Sequence, residues 1–106
     1  MTKILLCCAA GMSTSMLVQR MEKYAAQNAI NVEINAIAFD EFSEQLPNYD
    51  CVLLGPQIKY KLAEFKVLAD ELNKPIAVIN TMDYGMMNGE KILNESLKMI
   101  AVNEEK

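Results

Sequence analysis

Four short apolar runs constrain the fold of this chain more than any other feature. Three of them are continuous, at residues 4–8, 52–54 and 76–79, and the fourth alternates apolar with polar residues over 32–37. Each run is too short for a helix and rich in branched residues, which is typical of β-strands. Continuous apolar strands are typical of parallel sheets, because both faces of such sheets are covered. The runs therefore predict four strands in a mainly parallel sheet.

Apolar residues recur at helical spacing in the segments between these strands. The spacing predicts helices over 14–28, 58–72 and 89–102, while the polar stretch 39–49 favours a short helical turn ended by the Pro-Asn pair 47–48. This order of elements predicts an α/β fold with helices on both faces of the sheet. The residues expected to face the sheet are Met16, Leu17, Met21, Tyr24 and Ala25 from the first helix, and Leu62, Phe65, Leu68, Ala69 and Leu72 from the second.

Size and charge narrow the class of protein. At 106 residues and 52% hydrophobic, without repeat or linker, residues 1–106 are predicted to form a single domain. The formal net charge of −4 and the scattered basic residues argue against a nucleic-acid partner. The apolar start breaks at Gly11, and no segment approaches the roughly 20 apolar residues that cross a bilayer. We expect a cytoplasmic protein with no direct membrane insertion.

Cysteine and histidine counts limit the available chemistry. Three cysteines cannot form a complete disulfide framework, and the absence of histidine excludes a Cys–His or Ser–His pair and disfavours a zinc site. We predict no metal and no cofactor. Cys7 and Cys8 are neighbours in the first strand, so Cys7 is expected to face the core and Cys8 to enter the loop. Cys51, which opens the third strand, is interpreted as structural.

The loop after the first strand carries the residues best suited to chemistry. Ligands of such sheets bind beyond the carboxyl ends of the strands, where loops 8–13, 55–57 and 80–85 are expected to meet. Gly11 permits a tight turn, and the helix N-terminus that follows favours an anion and a thiolate at Cys8. The segment reads Cys8-Ala9-Ala10-Gly11-Met12-Ser13-Thr14-Ser15.

Two interpretations of this loop follow from the residues alone. A nucleophilic sulfur in a phosphate cradle could carry phosphate as phosphocysteine. Alternatively, Cys8 is a small core residue, and the hydroxyl residues after Gly11 are an ordinary helix cap. The spacing of the residues does not decide between these two readings.

Segment 8–15 resembles the phosphorylation loop of enzyme IIB components of the bacterial sugar phosphotransferase system, above all the lactose/cellobiose group with its chitobiose-type proteins. The resemblance extends over essentially the full length, in the expected order. It continues at Leu53-Leu54-Gly55-Pro56-Gln57-Ile58-Lys59-Tyr60 and at Asp83-Tyr84-Gly85 with Gly89. It implies a flavodoxin-like three-layer sandwich that resembles the low-molecular-weight tyrosine phosphatases.

The resemblance also implies a phosphate relay. The loop cysteine of that family accepts a phosphoryl group from a phosphohistidine of enzyme IIA and passes it to a sugar bound in membrane enzyme IIC. Counting back from Gly11 in the Cys-x-x-Gly pattern selects Cys8. Cellobiose or chitobiose, both β-linked disaccharides, is the sugar expected by resemblance. The predicted phosphate-binding residues are Ala9, Ala10, Gly11, Met12, Ser13, Thr14 and Ser15.

A relay fits these residues better than a hydrolase. The tyrosine phosphatases place an Arg where this chain has Thr14, and no acidic residue lies between Cys8 and Met21. Asp83 could reach the same edge from another loop. Weak binding of the phosphoryl group, without a base to activate water, favours a phosphocysteine that is not hydrolysed before its acceptor arrives.

Other residues at this edge are candidates for contacts with protein partners. Met12, Gln57, Tyr60 and Tyr84 are possible docking residues, although Gln57 could instead cap the second helix. A flavodoxin-like protein that holds flavin phosphate in the same loop remains the alternative function, because such loops are hydroxyl-rich and do not require cysteine.

Overall fold

The computed structural model describes residues 1–9 and 12–105, with the side chains of Met12 and Ser13 left out of the description. The four predicted strands are present, and all pairings are parallel. The sheet has the order β2-β1-β3-β4. The strands are β1 (Thr2–Cys8), β2 (Val32–Ala38), β3 (Cys51–Leu54) and β4 (Ile76–Val78).

The predicted helices are also present. The long helices are α1 (Met12–Gln27), α3 (Leu62–Glu71) and α5 (Gly89–Glu104), and a 3-10 segment, Pro56–Lys61, leads into α3. The predicted turn after β2 comprises a 3-10 turn (Phe39–Glu41), α2 (Phe42–Gln45) and a second 3-10 turn (Leu46–Asn48). One short helix, α4 (Thr81–Gly85), was expected to be a loop.

Side chains of β1 point alternately to the two faces of the sheet, and each face carries its own core layer. Ile4 and Leu6 pack in one cluster with residues of α1 and α5, such as Leu17 and Leu93. The opposite face holds Leu5, Cys7, Phe42, Leu46 and Phe65. Each fully buried aliphatic side chain contributes about 1.5–3 kcal/mol relative to exposure. The result is the expected three-layer α/β sandwich.

The position of β1 determines where the site lies. β1 pairs with β2 along its whole length, up to Cys8 opposite Ala38. On its other side it pairs with β3, up to Cys7 opposite Leu54. The chain thus leaves β1 towards one side for β2 and crosses to the other side for β3, so strand order reverses at β1. Ligands of open α/β sheets bind at such a switch point, beyond the carboxyl ends of the strands.

Two predicted core residues are exposed instead. Met16 is 52% exposed, because the buried face of α1 runs through Thr14, Leu17, Val18 and Met21 and leaves Met16 on the opposite side. Leu72 is 45% exposed, because α3 ends at Glu71 and Leu72 caps its carboxyl end. In both cases the apolar residue was adjacent in sequence to the buried face without lying on it.

Helix α4 was missed because it is too short to show a periodic pattern. Its signal was a cap: the Asn80 side chain accepts hydrogen bonds from the N–H groups of Met82, at 2.9 Å, and Asp83, at 3.1 Å. An asparagine is among the residues preferred at this position. The cap therefore sets the direction of the chain as it leaves β4.

Within residues 1–9 and 12–105, no helix combines the length and apolar character needed to cross a membrane.

The contact between α1 and α5 depends on a glycine. A Cβ at Gly89 would lie 2.8 Å from the backbone carbon of Arg20 and 2.8 Å from the backbone nitrogen of Met21. We expect Gly89→Ala to destabilise the protein by about 1–3 kcal/mol, because neither backbone can yield without moving a helix. Urea unfolding measures this change.

Gly85→Ala is the matched control, since no atom lies within 4 Å of a Cβ at Gly85. We expect this variant to be neutral or up to about 1 kcal/mol more stable, through helix propensity. Equal stability of the two variants would show that α1 and α5 do not approach each other through Gly89.

Candidate functional site

Cys8 ends the central strand and lies against the end of β3. Gly55 follows β3, and its N–H donates a hydrogen bond to the carbonyl oxygen of Cys7 at 2.8 Å. A Cβ at Gly55 would lie 3.4 Å from the Cβ of Cys8, so this residue forms a close wall beside the cysteine. The structure therefore brings together the ends of β1 and β3, as the parallel sheet implied.

The segment between Cys8 and α1 is short. Ala9 is exposed and precedes Ala10 and Gly11, which lie outside the described residues. The helix begins at Met12, three residues after Ala9, and has no acidic residue in its first turn. The positive end of the helix therefore begins close in sequence to Cys8, with no carboxylate in that turn to compete for an anion.

The hydroxyls of the predicted cradle differ in their surroundings. Thr14 is 1% exposed, and its Oγ1 lies 3.2 Å from the hydroxyl oxygen of Tyr84. Ser15 is exposed on α1, and the side chain of Ser13 is outside the described part of the chain. The Thr14–Tyr84 contact joins the start of α1 to α4, and sequence reasoning missed it because no pattern links residues 70 positions apart.

Gln57 lies beside the same wall. Its Oε1 would be 2.7 Å from a Cβ at Gly55, so its side chain folds back towards the end of β3. The 3-10 segment that begins at Pro56 has no side-chain cap, and neither does α3, so Gln57 does not cap either one. Tyr60, on the same segment, is 69% exposed.

Asp83 is engaged by α5 and is not a free acid. It is 6% exposed, and its Oδ2 lies 3.2 Å from the Nζ of Lys91. That buried oxygen has no hydrogen bond of good geometry among the described residues, so the lysine charge compensates its burial. Asp83 thus forms an ion pair that joins α4 to α5, and its possible reach to the loop edge stays a prediction.

The other two cysteines are poor candidates for a thiolate. Burial, followed by the neighbouring Cys8, raises the pKa of the Cys7 thiol to about 12. Burial, followed by Asp50, likewise raises the pKa of Cys51 to about 12. Cys7 packs in the core, and Cys51 pairs with Ile4 near the start of β1, away from the carboxyl edge. Both thiols therefore stay protonated at neutral pH.

The fold and the cysteine at its switch point define a flavodoxin-like α/β domain with a candidate thiol site. Residues 3–95 match the family model described as "PTS system, Lactose/Cellobiose specific IIB subunit". The chain belongs to this family of phosphotransferase-system components.

Individual relatives agree with the family in sequence and in structure. The oligo-beta-mannoside-specific EIIB component of Bacillus subtilis is 40% identical over 100 residues, covering 94% of this chain and 97% of that protein. The cellobiose-specific EIIB component of Lactococcus lactis is 43% identical, covering 85% and 88%. The solution structure of the cellobiose-specific IIB component from Borrelia burgdorferi is 46% identical with a TM-score of 0.82, covering 96% and 94%.

Alkylation tests the difference between the thiols. At pH 8, we expect iodoacetamide to leave Cys7 and Cys51 unmodified in the folded protein. A thiol with a pKa of about 12 is ionised in only about one molecule in ten thousand at that pH. Because a raised pKa favours the protonated form, their reaction becomes appreciable only as the pH approaches that value.

Peptide mapping by mass spectrometry identifies the modified residues. In denaturant both thiols should react at the rate of an ordinary cysteine, which provides the control. Modification of Cys7 or Cys51 at that rate in the folded protein would contradict the burial described above.

Proposed function

We propose that this protein carries a phosphoryl group on Cys8 between two partners. The donor is a phosphohistidine of enzyme IIA, and the acceptor is a sugar held by membrane enzyme IIC. The observation that carries the proposal is the position of Cys8, at the carboxyl end of β1 and four residues before the first residue of α1. Family membership supports it, since the family comprises components of this transfer system.

The transfer has two balanced steps. In the first, the Cys8 sulfur attacks the phosphorus and a sulfur–phosphorus bond forms. The phosphorus–nitrogen bond to the donor imidazole breaks, and the released imidazole takes up the proton that the thiol gives up. In the second, a sugar hydroxyl oxygen attacks the phosphorus, the sulfur–phosphorus bond breaks, and the thiolate is restored. A base of the transporter takes the hydroxyl proton, since this chain contains no histidine.

Backbone groups would stabilise the transferred charge. We propose that N–H groups from Ala10 to Ser15 point at the phosphoryl oxygens, assisted by the positive end of α1. Gly55 supports this arrangement, because the absence of a side chain lets Gln57 and the backbone after β3 lie close to Cys8. Gln57 lies near enough to the same wall to add a side-chain amide.

The described residues favour storage of the phosphate over its hydrolysis. Asp83, the nearest acid that the sequence suggested, is paired with Lys91. Thr14 stands where a phosphatase would have its phosphate-binding Arg, and it is buried. Cys8 itself is 1% exposed, so its neighbours must move before any molecule reaches the sulfur. On this proposal, the docking of a partner brings about that movement.

The proposed sugar is a β-linked disaccharide such as cellobiose or chitobiose. The names of relatives specific for cellobiose and for oligo-β-mannosides support this class of substrate. We place the protein in the cytoplasm, where it docks on enzyme IIC. On this proposal the transporter selects the sugar, because Cys8 contacts only the hydroxyl that receives the phosphate.

Incubation with phosphorylated enzyme IIA tests the assignment. Wild-type protein should gain the mass of one phosphoryl group on Cys8, and Cys8→Ser should gain none, because a serine hydroxyl is a far weaker nucleophile than a thiolate at neutral pH. Intact-protein mass spectrometry with peptide mapping measures both.

Cys7→Ala is the matched control. It removes the adjacent thiol and should still accept phosphate at the wild-type site. Phosphate on Cys8→Ser, or on Cys7 of the wild-type protein, would contradict the proposal. A yellow purified protein with bound flavin would favour the flavodoxin-like alternative instead.

A further inference from the structure

The hydroxyl of Tyr84 contacts the first turn of α1. Its oxygen lies 3.2 Å from Oγ1 of Thr14, the third residue of that helix, and Thr14 is 1% exposed. Buried hydroxyls need a hydrogen-bond partner, and each of these two hydroxyls can donate to the other in a long hydrogen bond. Other buried polar side chains are satisfied differently: Ser96, for example, donates to the carbonyl oxygen of Ile92 within its own helix at 2.8 Å. The Thr14 contact instead joins two elements.

The first turn of α1 is the part of the helix on which the proposed chemistry depends. The start of a helix carries the positive end of its dipole, which favours an anion there. The direction of this end relative to Cys8 changes whenever the first turn frays or tilts, as helix ends commonly do. A hydrogen bond from another element to Thr14 limits that motion.

The element that carries Tyr84 is itself firmly held. Tyr84 donates its backbone N–H to the carbonyl oxygen of Asn80 at 2.9 Å, and Asn88 donates to the carbonyl oxygen of Asp83 at 2.9 Å. The Asp83–Lys91 ion pair joins α4 to α5, and the ring of Tyr84 packs against the core cluster shared by α1 and α5. Tyr84 therefore provides a fixed point against which the start of α1 can be positioned.

We propose that Tyr84 is a positioning residue for phosphoryl transfer: its hydroxyl, through Thr14, orients the first turn of α1 towards the phosphoryl group on Cys8. This inference rests on the proposed function. It differs from the sequence-based interpretation of Tyr84 as a docking residue, because a docking residue contributes to partner affinity and a positioning residue to the rate within the complex.

Tyr84→Phe tests the proposal, since it removes the hydroxyl and keeps the ring. Single-turnover transfer from phosphorylated enzyme IIA onto Cys8 is followed over a range of donor concentrations. The rate at saturating donor should fall by about threefold to tenfold, as expected for loss of one hydrogen bond. The donor concentration that gives half of this rate should not change.

Tyr24→Phe is the matched control. Tyr24 lies on α1, ten residues after Thr14, and its hydroxyl accepts a hydrogen bond from Nδ2 of Asn94 at 3.3 Å. Its removal should lower the midpoint of thermal unfolding about as much as Tyr84→Phe does, and leave the saturating transfer rate unchanged. An equal rate loss in both variants would show a merely structural role and overturn the proposal.

A double-mutant comparison tests whether Tyr84 acts through Thr14. Thr14→Val should slow transfer in the wild-type background and slow it less in the Tyr84→Phe background, because the shared hydrogen bond is already lost. Strictly multiplicative effects would overturn the proposal. So would a Tyr84→Phe protein that changes only the half-saturating donor concentration, which would mark a docking residue.

The outcomes also separate this inference from the function on which it rests. If wild-type protein takes no phosphate on Cys8, both the proposed function and the role of Tyr84 are contradicted. If wild-type protein is phosphorylated on Cys8 and Tyr84→Phe reaches the same saturating rate, only the role of Tyr84 is contradicted.

Discussion

The double-sided pairing of β1 is the constraint on which the rest of the structure depends. Its last five residues, from Ile4 to Cys8, are buried, and the strand is paired on both edges. A strand in this position cannot slip by one residue without turning both of its faces inside out. The pairing of β1 thereby fixes the position of Cys8 at the carboxyl edge of the sheet. The groups around it, from Gly55 to the start of α1, are arranged relative to that point.

The same alternation explains how adjacent cysteines acquire different roles. Cys7 faces the layer that contains Phe42 and Phe65, whose rings stack with centroids 4.0 Å apart. Burial there stabilises the neutral thiol, which is chemically equivalent to a small apolar side chain. Cys8 faces the other way and meets the wall formed by Gly55. A one-residue shift along the strand therefore separates a packing group from the proposed nucleophile.

Sequence periodicity predicted the four strands, the long helices and the polar turn after β2 because each reflects burial on a regular geometric repeat. It was wrong for Met16 and Leu72, which neighbour a buried face without lying on it, and it missed α4, whose only local signal is the cap at Asn80. The Thr14–Tyr84 contact has no sequence signature, because tertiary packing alone brings the two hydroxyls together. The role of Cys8 stays a prediction from its position and its family.

The two sides of the site rest on strands that differ in the free energy needed to open them. Among the strands described, β4 has three residues and pairs with β3 alone, so its opening costs less free energy than opening β1. Tyr84 follows β4, whereas Cys8 belongs to β1. An opening confined to β4 would therefore leave the sulfur in place, while the Asp83–Lys91 ion pair still joins α4 to α5. Native-state hydrogen exchange would register such an event as an opening of β4 that spares β1.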